Sequence, residues 1–369
     1  MKMRVAIVGV GRAKPGIDLP GQKVTNEKIV EMLLSRGALK PGSDRPWTPE
    51  ELTPQRITDL VGIKTRQWVS PDQNTSDLAV LAAEAALRAA QIGWEDIGVL
   101  VVGSSTPETI FPSIACLVLD KIGKKKIAAG EWTEDTAKRK LRIPAYDVLA
   151  ACTSSLYAVD IVRKTLLSED SRSAYGLALG AEVLSRIIDF SDTNSDLYGD
   201  AAGAVVLKRA QSRSGIICSD LGSDPWGAEL IYGVGMGIRL CQRGLQPNIY
   251  MMGHEVQKYV LKIVPELITK TLENANSDPQ REKKIKLEDI SLFICHQANA
   301  RIFEYPAKKL NIPIEKFYVN VDRWGNCSSA SVLVALSEAL DEGRIQKGDL
   351  IMLMGFGSGL TWASMLVEW

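Results

Sequence analysis

Residues 287–295 read LEDISLFIC, and residues 94–102 read WEDIGVLVV. Each is a Glu-Asp-Ile turn followed by a mostly apolar run of strand length. Each also follows a stretch with helical spacing of apolar residues, Ser76–Ile92 before the first and Glu255–Ala275 before the second. The correspondence continues downstream, where AYDVLAACTSS (145–155) parallels KFYVNVDRWGNCSS (316–329). Both lead into helical stretches, Leu156–Leu167 and Ala330–Leu340. A glycine-flanked strand comes next in each (Tyr175–Gly180, Asp349–Gly355), and then a final strand (Ala204–Arg209, Ser364–Trp369). Four matches in one order indicate a duplication, with residues 1–210 and 211–369 as two α/β halves. Strands alternating with helices predict βαβ units and mainly parallel sheets.

The length, 369 residues, suits two domains or one duplicated one. With 46% hydrophobic and 24% charged residues the composition is that of an ordinary globular chain. The formal net charge of zero gives no field for nucleic acid. The opening run MKMRVAIVGV is too short for a membrane span and lacks a signal peptide's cleavage region. Six cysteines (116, 152, 218, 241, 295, 327) are dispersed without a C-x-x-C pair, so reduced thiols in the cytoplasm are expected rather than disulfides or structural zinc. Gly9-Val-Gly11 lacks the third glycine of a dinucleotide turn. Tyr232–Arg239 (YGVGMGIR) is glycine-rich but has no lysine–serine pair, which predicts a flexible loop near an entrance. The two histidines are too far apart in sequence for a recognisable metal spacing.

Three polar residues stand at predicted strand exits. Cys152 ends the run Ala145–Ala151 and opens the helical stretch Thr153–Leu167. A thiol there meets the positive end of a helix dipole, which favours the thiolate, although an inert buried cysteine at a tight turn would read the same way. His296 ends Ile290–Cys295, at the end of a strand where open α/β sheets place reactive groups. His254, early in an amphipathic stretch, suits a surface or capping role. Asn326 follows a third strand-like run, Phe317–Val321, and by the repeat it matches Cys152 in position. Cys, His and Asn brought to one cleft suit acyl chemistry on a thioester. The glycines of Gly355–Thr361 (GFGSGLT) allow a backbone N–H there to join the Cys152 amide in an oxyanion hole.

At these residues the chain resembles the β-ketoacyl-ACP synthase III family, within the thiolase-like superfamily. The similarity runs in order through VTNEKIV (24–30), VGIKTRQW (61–68), STPETIFPSIACLV (105–118) and AACTSS (150–155). It continues through LYGDAAGAVVL (197–207), MMGHEVQKYV (251–260), HQANARI (296–302), GNCSSAS (325–331) and GFGSGLTW (355–362). The resemblance implies a thiolase-like fold, with the duplicated halves in a five-layered αβαβα arrangement. It implies a Cys152, His296 and Asn326 triad, with the amides of Cys152 and Ser358 as the oxyanion hole. The reaction implied is acyl transfer to Cys152, then decarboxylative Claisen condensation with a malonyl-type or β-keto thioester. His296 and Asn326 would be hydrogen-bond donors, with the imidazole neutral. Acyl-CoA or acyl-carrier-protein thioesters would be the substrates, with no cofactor and no metal. Partners implied are a second copy, with Phe111 reaching into its acyl pocket, and an acidic carrier protein docked on Arg301, Lys308 and Lys309. Phe111 beside Pro112 also suits a plain core position, and the basic residues a solvated face.

Several positions depart from the family pattern. By register with Gly62-Ile63, Arg56 stands where the family has a coenzyme-A-stacking aromatic, and Leu60 stands where it has a nearby arginine. The acyl donor is then expected on a carrier protein, or on CoA held in another way. Thr153-Ser154-Ser155-Leu156 replaces the usual small-Gly-Phe sequence after the cysteine, and extra residues occur at 36–51 and 124–142. Lys124–Lys126 could dock a carrier, but a solvated loop is the stronger expectation. Together these departures suggest fatty-acid- or polyketide-type specialised metabolism. The alternatives are an acyltransferase or thioesterase-like enzyme that uses the same acyl-cysteine without decarboxylation, and a thiolase-type enzyme with Cys295 or Cys327 as a second thiol.

Overall fold

The computed structural model describes residues 3–171, 173–211, 214–233, 248–279, 281 and 283–369. The run assigned above to an entrance loop lies largely outside them. A five-stranded sheet is built from β1 (Met3–Ala13), β4 (Ile97–Gly103), β5 (Ala145–Val148), β6 (Tyr175–Glu182) and β7 (Ala201–Gln211), in the order β1-β7-β6-β4-β5. A four-stranded sheet contains β8 (Gly215–Ser223), β11 (Ile290–Cys295), β12 (Leu350–Gly357) and β13 (Thr361–Glu368), in the order β11-β12-β13-β8. Two short antiparallel pairs complete the strands: β2 (Gly21–Thr25) with β3 (Thr65–Val69), and β9 (Ile231–Gly233) with β10 (Ile249–Met251).

The two sheets follow one plan. β4 pairs parallel with β5 and β6, whereas β6–β7 and β7–β1 are antiparallel. In the second sheet β11–β12 is parallel, β12–β13 and β13–β8 are antiparallel, and a single parallel bridge from Phe293 to Phe317 stands where β5 stands in the first. The sheets are therefore mixed, not mainly parallel. A parallel pair needs a long crossover, and only three residues join β12 to β13, so that pair must be antiparallel.

Helices fill the layers between and outside the sheets. α1 (Asn26–Ser35) and α2 (Pro54–Val61) form a peripheral cap with residues 36–52, around Ile29, Leu33 and Ile57. α3 (Thr75–Ala90) and α4 (Ile114–Ala128) cover the outer face of the first sheet, burying Leu78, Leu87, Val118 and Ile122 on Leu100, Val102 and Leu177. α5 (Glu134–Lys140) extends α4 at the surface. α6 (Ser154–Leu167) and a matching C-terminal helix lie between the sheets. α7 (Gly253–Asn276) and α8 (Glu304–Lys309) cover the outer face of the second sheet through Val264, Leu267, Ile268 and Phe303. α9 (Val321–Trp324) is one turn, and α10 (Ser331–Asp341) is the partner of α6. The central cluster joins Leu156, Val159 and Val162 of α6 to Leu333 and Leu336 of α10, with Val101 and Val205 from one sheet and Leu353 and Met365 from the other. Helix, sheet, helix pair, sheet, helix is the five-layered thiolase-like arrangement. No helix among the described residues is long and apolar enough to cross a membrane.

The middle layer is tight because the first sheet turns glycines towards it. A Cβ on Gly180 would lie 2.5 Å from the Ser329 carbonyl oxygen and 2.7 Å from Ser155 Cβ. Gly180→Ala should therefore destabilise the protein by about 1–3 kcal/mol, the usual cost of forcing a methyl group into a filled core. Gly233→Ala, where a Cβ would meet nothing within 4 Å, is the matched control. A urea midpoint that falls for the first and holds for the second is the expected outcome.

Candidate active site

Two tight turns meet in the middle layer. β5 ends at Val148, and the chain enters α6 through a 3-10 turn at Ala151–Thr153. In the other half a 3-10 turn at Ser328–Ala330 leads into α10. Each turn opens on a residue with positive φ, 48° at Ala151 and 45° at Ser328. Aligned on these two residues, Cys152 corresponds to Ser329, and Asn326 lies two residues before the counterpart of Ala151. Cys152 and Asn326 are therefore not equivalent positions, as the sequence repeat suggested. Phe317–Val321 is likewise no strand, because the chain turns at Asn320 into α9, with Trp324 N–H donating to the Asn320 carbonyl (3.2 Å).

Cys152 is half-buried in the first turn. Ser328 Oγ donates to its Sγ at 3.4 Å, and the amides of Cys152 and Ser358 also hydrogen-bond towards the sulfur. Burial dominates, however, and pushes the thiol up to about 11. The Ser328 hydroxyl and the two amides pull it down, whereas the charge of buried Glu182 pushes it further up. The thiolate expected at a helix N-terminus is thus not the resting form, because loss of water outweighs the donors. Gly357 closes the wall, since a Cβ there would lie 2.9 Å from Sγ. Thr361 pins this loop to the nucleophile turn: its Oγ1 donates to the Ala150 carbonyl (3.2 Å) or the Ser358 carbonyl (2.9 Å) and lies 3.0 Å from Thr153 Oγ1.

His296 leaves β11 at the same level, 2% exposed. Burial pushes its imidazole down to about 3, so the ring is neutral. Phe356 packs edge-on against it, with centroids 5.4 Å apart, and Nδ1 lies 2.7 Å from Ser331 Oγ. Asn326 accepts from the Ser328 N–H through Oδ1 (2.9 Å), and its Nδ2 has no hydrogen-bond partner among the described residues. Its backbone is held by Leu197 and Gly199 (2.8 and 3.0 Å). Ser328 therefore contacts the Cys152 thiol and Asn326 directly, and it reaches His296 through Ser331, whose Oγ lies 2.8 Å from the Ser328 carbonyl. The two backbone N–H groups on Sγ, the Asn326 amide and the neutral imidazole are the kinds of group that suit developing negative charge.

Behind the site lies Glu182, fully buried and missed in the sequence. It accepts from Ser329 Oγ (2.6 Å), Thr106 Oγ1 (2.8 Å) and the Ser105 N–H (3.0 Å), so both halves hold one carboxylate, which burial pushes upward. Cys295 and Cys327 are buried, and burial raises both thiols. Cys327 Sγ donates to the Trp324 carbonyl, and neither thiol is poised as a second base. Among the described residues no group of three or more His, Cys, Asp or Glu gathers as a metal site.

The remaining predicted residues sit away from the thiol. Phe111 is 83% exposed, which rules out a core position within the chain. Arg301 turns back onto the Asp59 carbonyl of α2 and pairs with Glu304 (3.2 Å). Lys309 stands over the Tyr305 ring, 5.6 Å from its centroid, and Lys308 is exposed. Lys124, Lys125 and Lys126 pair with Asp120, Glu84 and Glu131, the pattern of a solvated face. Arg56 stacks on Trp47 of the 36–51 segment, with the guanidinium 4.9 Å from the ring centroid. Lys40 approaches the same ring at 5.0 Å, and Leu60 is exposed. His254 is exposed in the first turn of α7.

Comparison with known proteins bears on the whole arrangement. Residues 146–225 match the model of 3-oxoacyl-[acyl-carrier-protein] synthase III, and residues 281–369 match that of its C-terminal part. β-Ketoacyl-[acyl-carrier-protein] synthase III of Clostridium perfringens (strain SM101 / Type A) is 39% identical over 308 residues, covering 82% of this chain and 87% of the relative. The protein of the same description from Xanthomonas campestris pv. campestris (strain 8004) is 39% identical over 317 residues, 85% of this chain and 89% of the relative. The crystal structure of 3-oxoacyl-[acyl-carrier-protein] synthase III from Aquifex aeolicus VF5 superposes with a TM-score of 0.78 at 32% identity, over 99% of this chain and all of the other. The priming β-ketosynthase of the R1128 polyketide pathway shares the fold, with a TM-score of 0.80 at 24% identity, over 99% of this chain and 96% of the other.

A thiol held up to about 11 has a direct chemical signature. Alkylation of Cys152 by iodoacetamide, followed by intact-mass spectrometry, should climb steadily from pH 7 to pH 10, because the reactive anion is scarce below the thiol's pKa. A rate already level by pH 8 would mean that the donors win over burial.

Proposed function

This chain belongs to the 3-oxoacyl-[acyl-carrier-protein] synthase III family, and from that premise we propose how its site works. The enzyme is a β-ketoacyl synthase III-type condensing enzyme, a transferase that forms a carbon–carbon bond. In the first half-reaction Cys152 Sγ attacks the carbonyl carbon of an acyl thioester. The carbonyl oxygen, becoming an oxyanion, is held by the amides of Cys152 and Ser358. The bond to the donor sulfur breaks, and the donor leaves as a thiol with the cysteine's proton. In the second half-reaction a malonyl thioester loses carbon dioxide. The electron pair of the broken C–C bond passes into an enolate whose oxygen accepts from Asn326 Nδ2 and His296 Nε2. The enolate carbon attacks the acyl-cysteine, the sulfur leaves as a thiolate, and a proton from solvent water restores the thiol.

One observation carries this reading: a half-buried thiol with two amide donors on it, tied through Ser328 to an asparagine with a spare N–H and to a neutral imidazole. A neutral ring suits a hydrogen-bond donor. Carrier-protein thioesters are the proposed substrates, with no bound cofactor required. Lys308 and Lys309 are the proposed points of contact with the carrier's acidic surface, and Arg301 shapes the neighbouring α2 junction. Lys40 and Arg56 already cover Trp47, which supports a donor recognised without stacking on that ring. The 36–51 segment and the Thr-Ser-Ser sequence after the cysteine support a specialised fatty-acid- or polyketide-type substrate.

A homodimer is the proposed assembly. β5 is the unpaired edge of the first sheet, and Leu149 (76% exposed) and Phe111 stand bare beside it. An exposed apolar edge strand calls for a partner strand, and Phe111 would then enter the other copy.

Incubated with an acyl thioester, the wild type should gain the acyl mass, and Cys152→Ala should not. With malonyl thioester added, carbon dioxide release should accompany product, and Asn326→Ala should lower that rate by about 10²–10³, the range for loss of one oxyanion donor. Acyl mass without carbon dioxide would instead indicate transfer or hydrolysis. Phe111→Asp should convert a dimer into a monomer in size-exclusion chromatography with light scattering, and a monomeric wild type would remove the dimer.

A further inference from the structure

Condensation asks His296 Nε2 to donate a hydrogen, and acylation requires somewhere for the thiol proton to go. Which nitrogen carries the ring hydrogen therefore matters, and the residue in contact with the other nitrogen is Ser331. It is buried at the first position of α10. Its oxygen lies 2.7 Å from His296 Nδ1, accepts from the Gln297 N–H (3.4 Å) and donates to the Ser328 carbonyl (2.8 Å).

The other half of the molecule shows the same device without a histidine. Ser154, at the first position of α6, donates to the Ala151 carbonyl at 2.7 Å and accepts from the Ala150 N–H at 2.8 Å. In both turns a helix-opening serine thus has the carbonyl of the positive-φ residue three places earlier as an acceptor, and in the first turn, where its other contact is an N–H, its hydrogen must go there. A hydroxyl has one hydrogen. With that hydrogen on the Ser328 carbonyl, Nδ1 must bring its own, because two lone pairs cannot face each other at 2.7 Å. Nε2 is then bare.

We propose that Ser331 is a positioning residue that selects the resting tautomer of His296: it holds the hydrogen on Nδ1 and presents Nε2 as the acceptor for the Cys152 proton during acylation. The proposal rests on the condensing reading of the site. As Sγ bonds to the acyl carbon, its proton moves to Nε2 and on to the sulfur of the departing donor, so one thiol is consumed and one released. The ring ends as it began. Rotated onto Nδ1, the same hydroxyl supports the opposite tautomer, with Nε2–H as the donor that condensation uses. The ring hydrogen changes nitrogen by exchange with water admitted when the donor thiol leaves.

The chain holds two histidines, so nitrogen NMR of the ¹⁵N-histidine-labelled full chain reads the tautomer directly, with His254→Gln removing the other signal. In the resting wild type, Nδ1 should show the shift of a protonated ring nitrogen and Nε2 that of a bare one. Ser331→Ala should move the hydrogen towards Nε2 and slow mass gain at Cys152 about tenfold, below the 10²–10⁴ of an acceptor matched to the working pH. Ser331→Thr, which keeps the hydroxyl, should restore both readings. A resting His296 with its hydrogen on Nε2, or a tautomer unmoved by Ser331→Ala, would overturn the proposal. The NMR result needs no substrate, so a failure to acylate from any donor would count against the condensing reading alone, and the tautomer would still be decided.

Discussion

The structure depends on the close approach of two helix-opening turns, Ala151–Thr153 and Ser328–Ala330, between two sheets. A helix end buried this way carries several unpaired N–H groups, which need partners or a chemical use. Here they get both. Ser154 and Ser331 tie each turn to its own helix, and Glu182 reaches from the first sheet to hold Ser329 of the opposite turn. The approach is possible because Gly180 and Gly357 leave room where any side chain would strike the other turn or the thiol. Positive φ at Ala151 and Ser328 costs about 1–2 kcal/mol each, and the surrounding core holds both in place.

That burial also sets the electrostatics. Water is scarce around Sγ and the imidazole, so the thiol is pushed up and the ring down, and both rest uncharged. A neutral resting site avoids the cost of burying an ion while keeping fixed donors aimed where charge develops. Cys152 is thus no preformed thiolate. Its reactivity depends on proton removal as the new bond forms, which makes the accepting nitrogen of His296 as important as the thiol itself.

Much of this was legible in the chain. The repeated Glu-Asp-Ile turn with its strand exposed the duplication, because helix, turn and strand periods survive divergence in detail. Cys152 and His296 were legible because each ends an apolar run in a chain with few histidines. Three things were not. Parallel or antiparallel pairing is decided by connection length, so the mixed sheets were missed. The match of Asn326 to Cys152 failed because the second half spends residues on α9, which shifts the register by three relative to the positive-φ anchor. Trp47 against Arg56, Ser328 against Cys152 and Glu182 between the halves are long-range contacts with no local periodic signature.

Aligned on those anchors, the two turns have divided one task. The first pairs Ala151 with Cys152, and the second pairs Ser328 with Ser329 at the same two positions. The first turn carries the thiol that the proposed mechanism uses as nucleophile. The second supplies no nucleophile: Ser329 points into the Glu182 network, Ser328 faces the thiol of the other half, and Ser331 faces the histidine. In the proposed mechanism neither turn alone could hold a reacting thioester, because the attacking atom belongs to one half and the carbonyl-stabilising side chains to the other. A shift of one turn against the other would separate the nucleophile from its donors before either half lost its own core. On that mechanism the packing of α6 on α10 is a catalytic requirement as well as the middle of the fold.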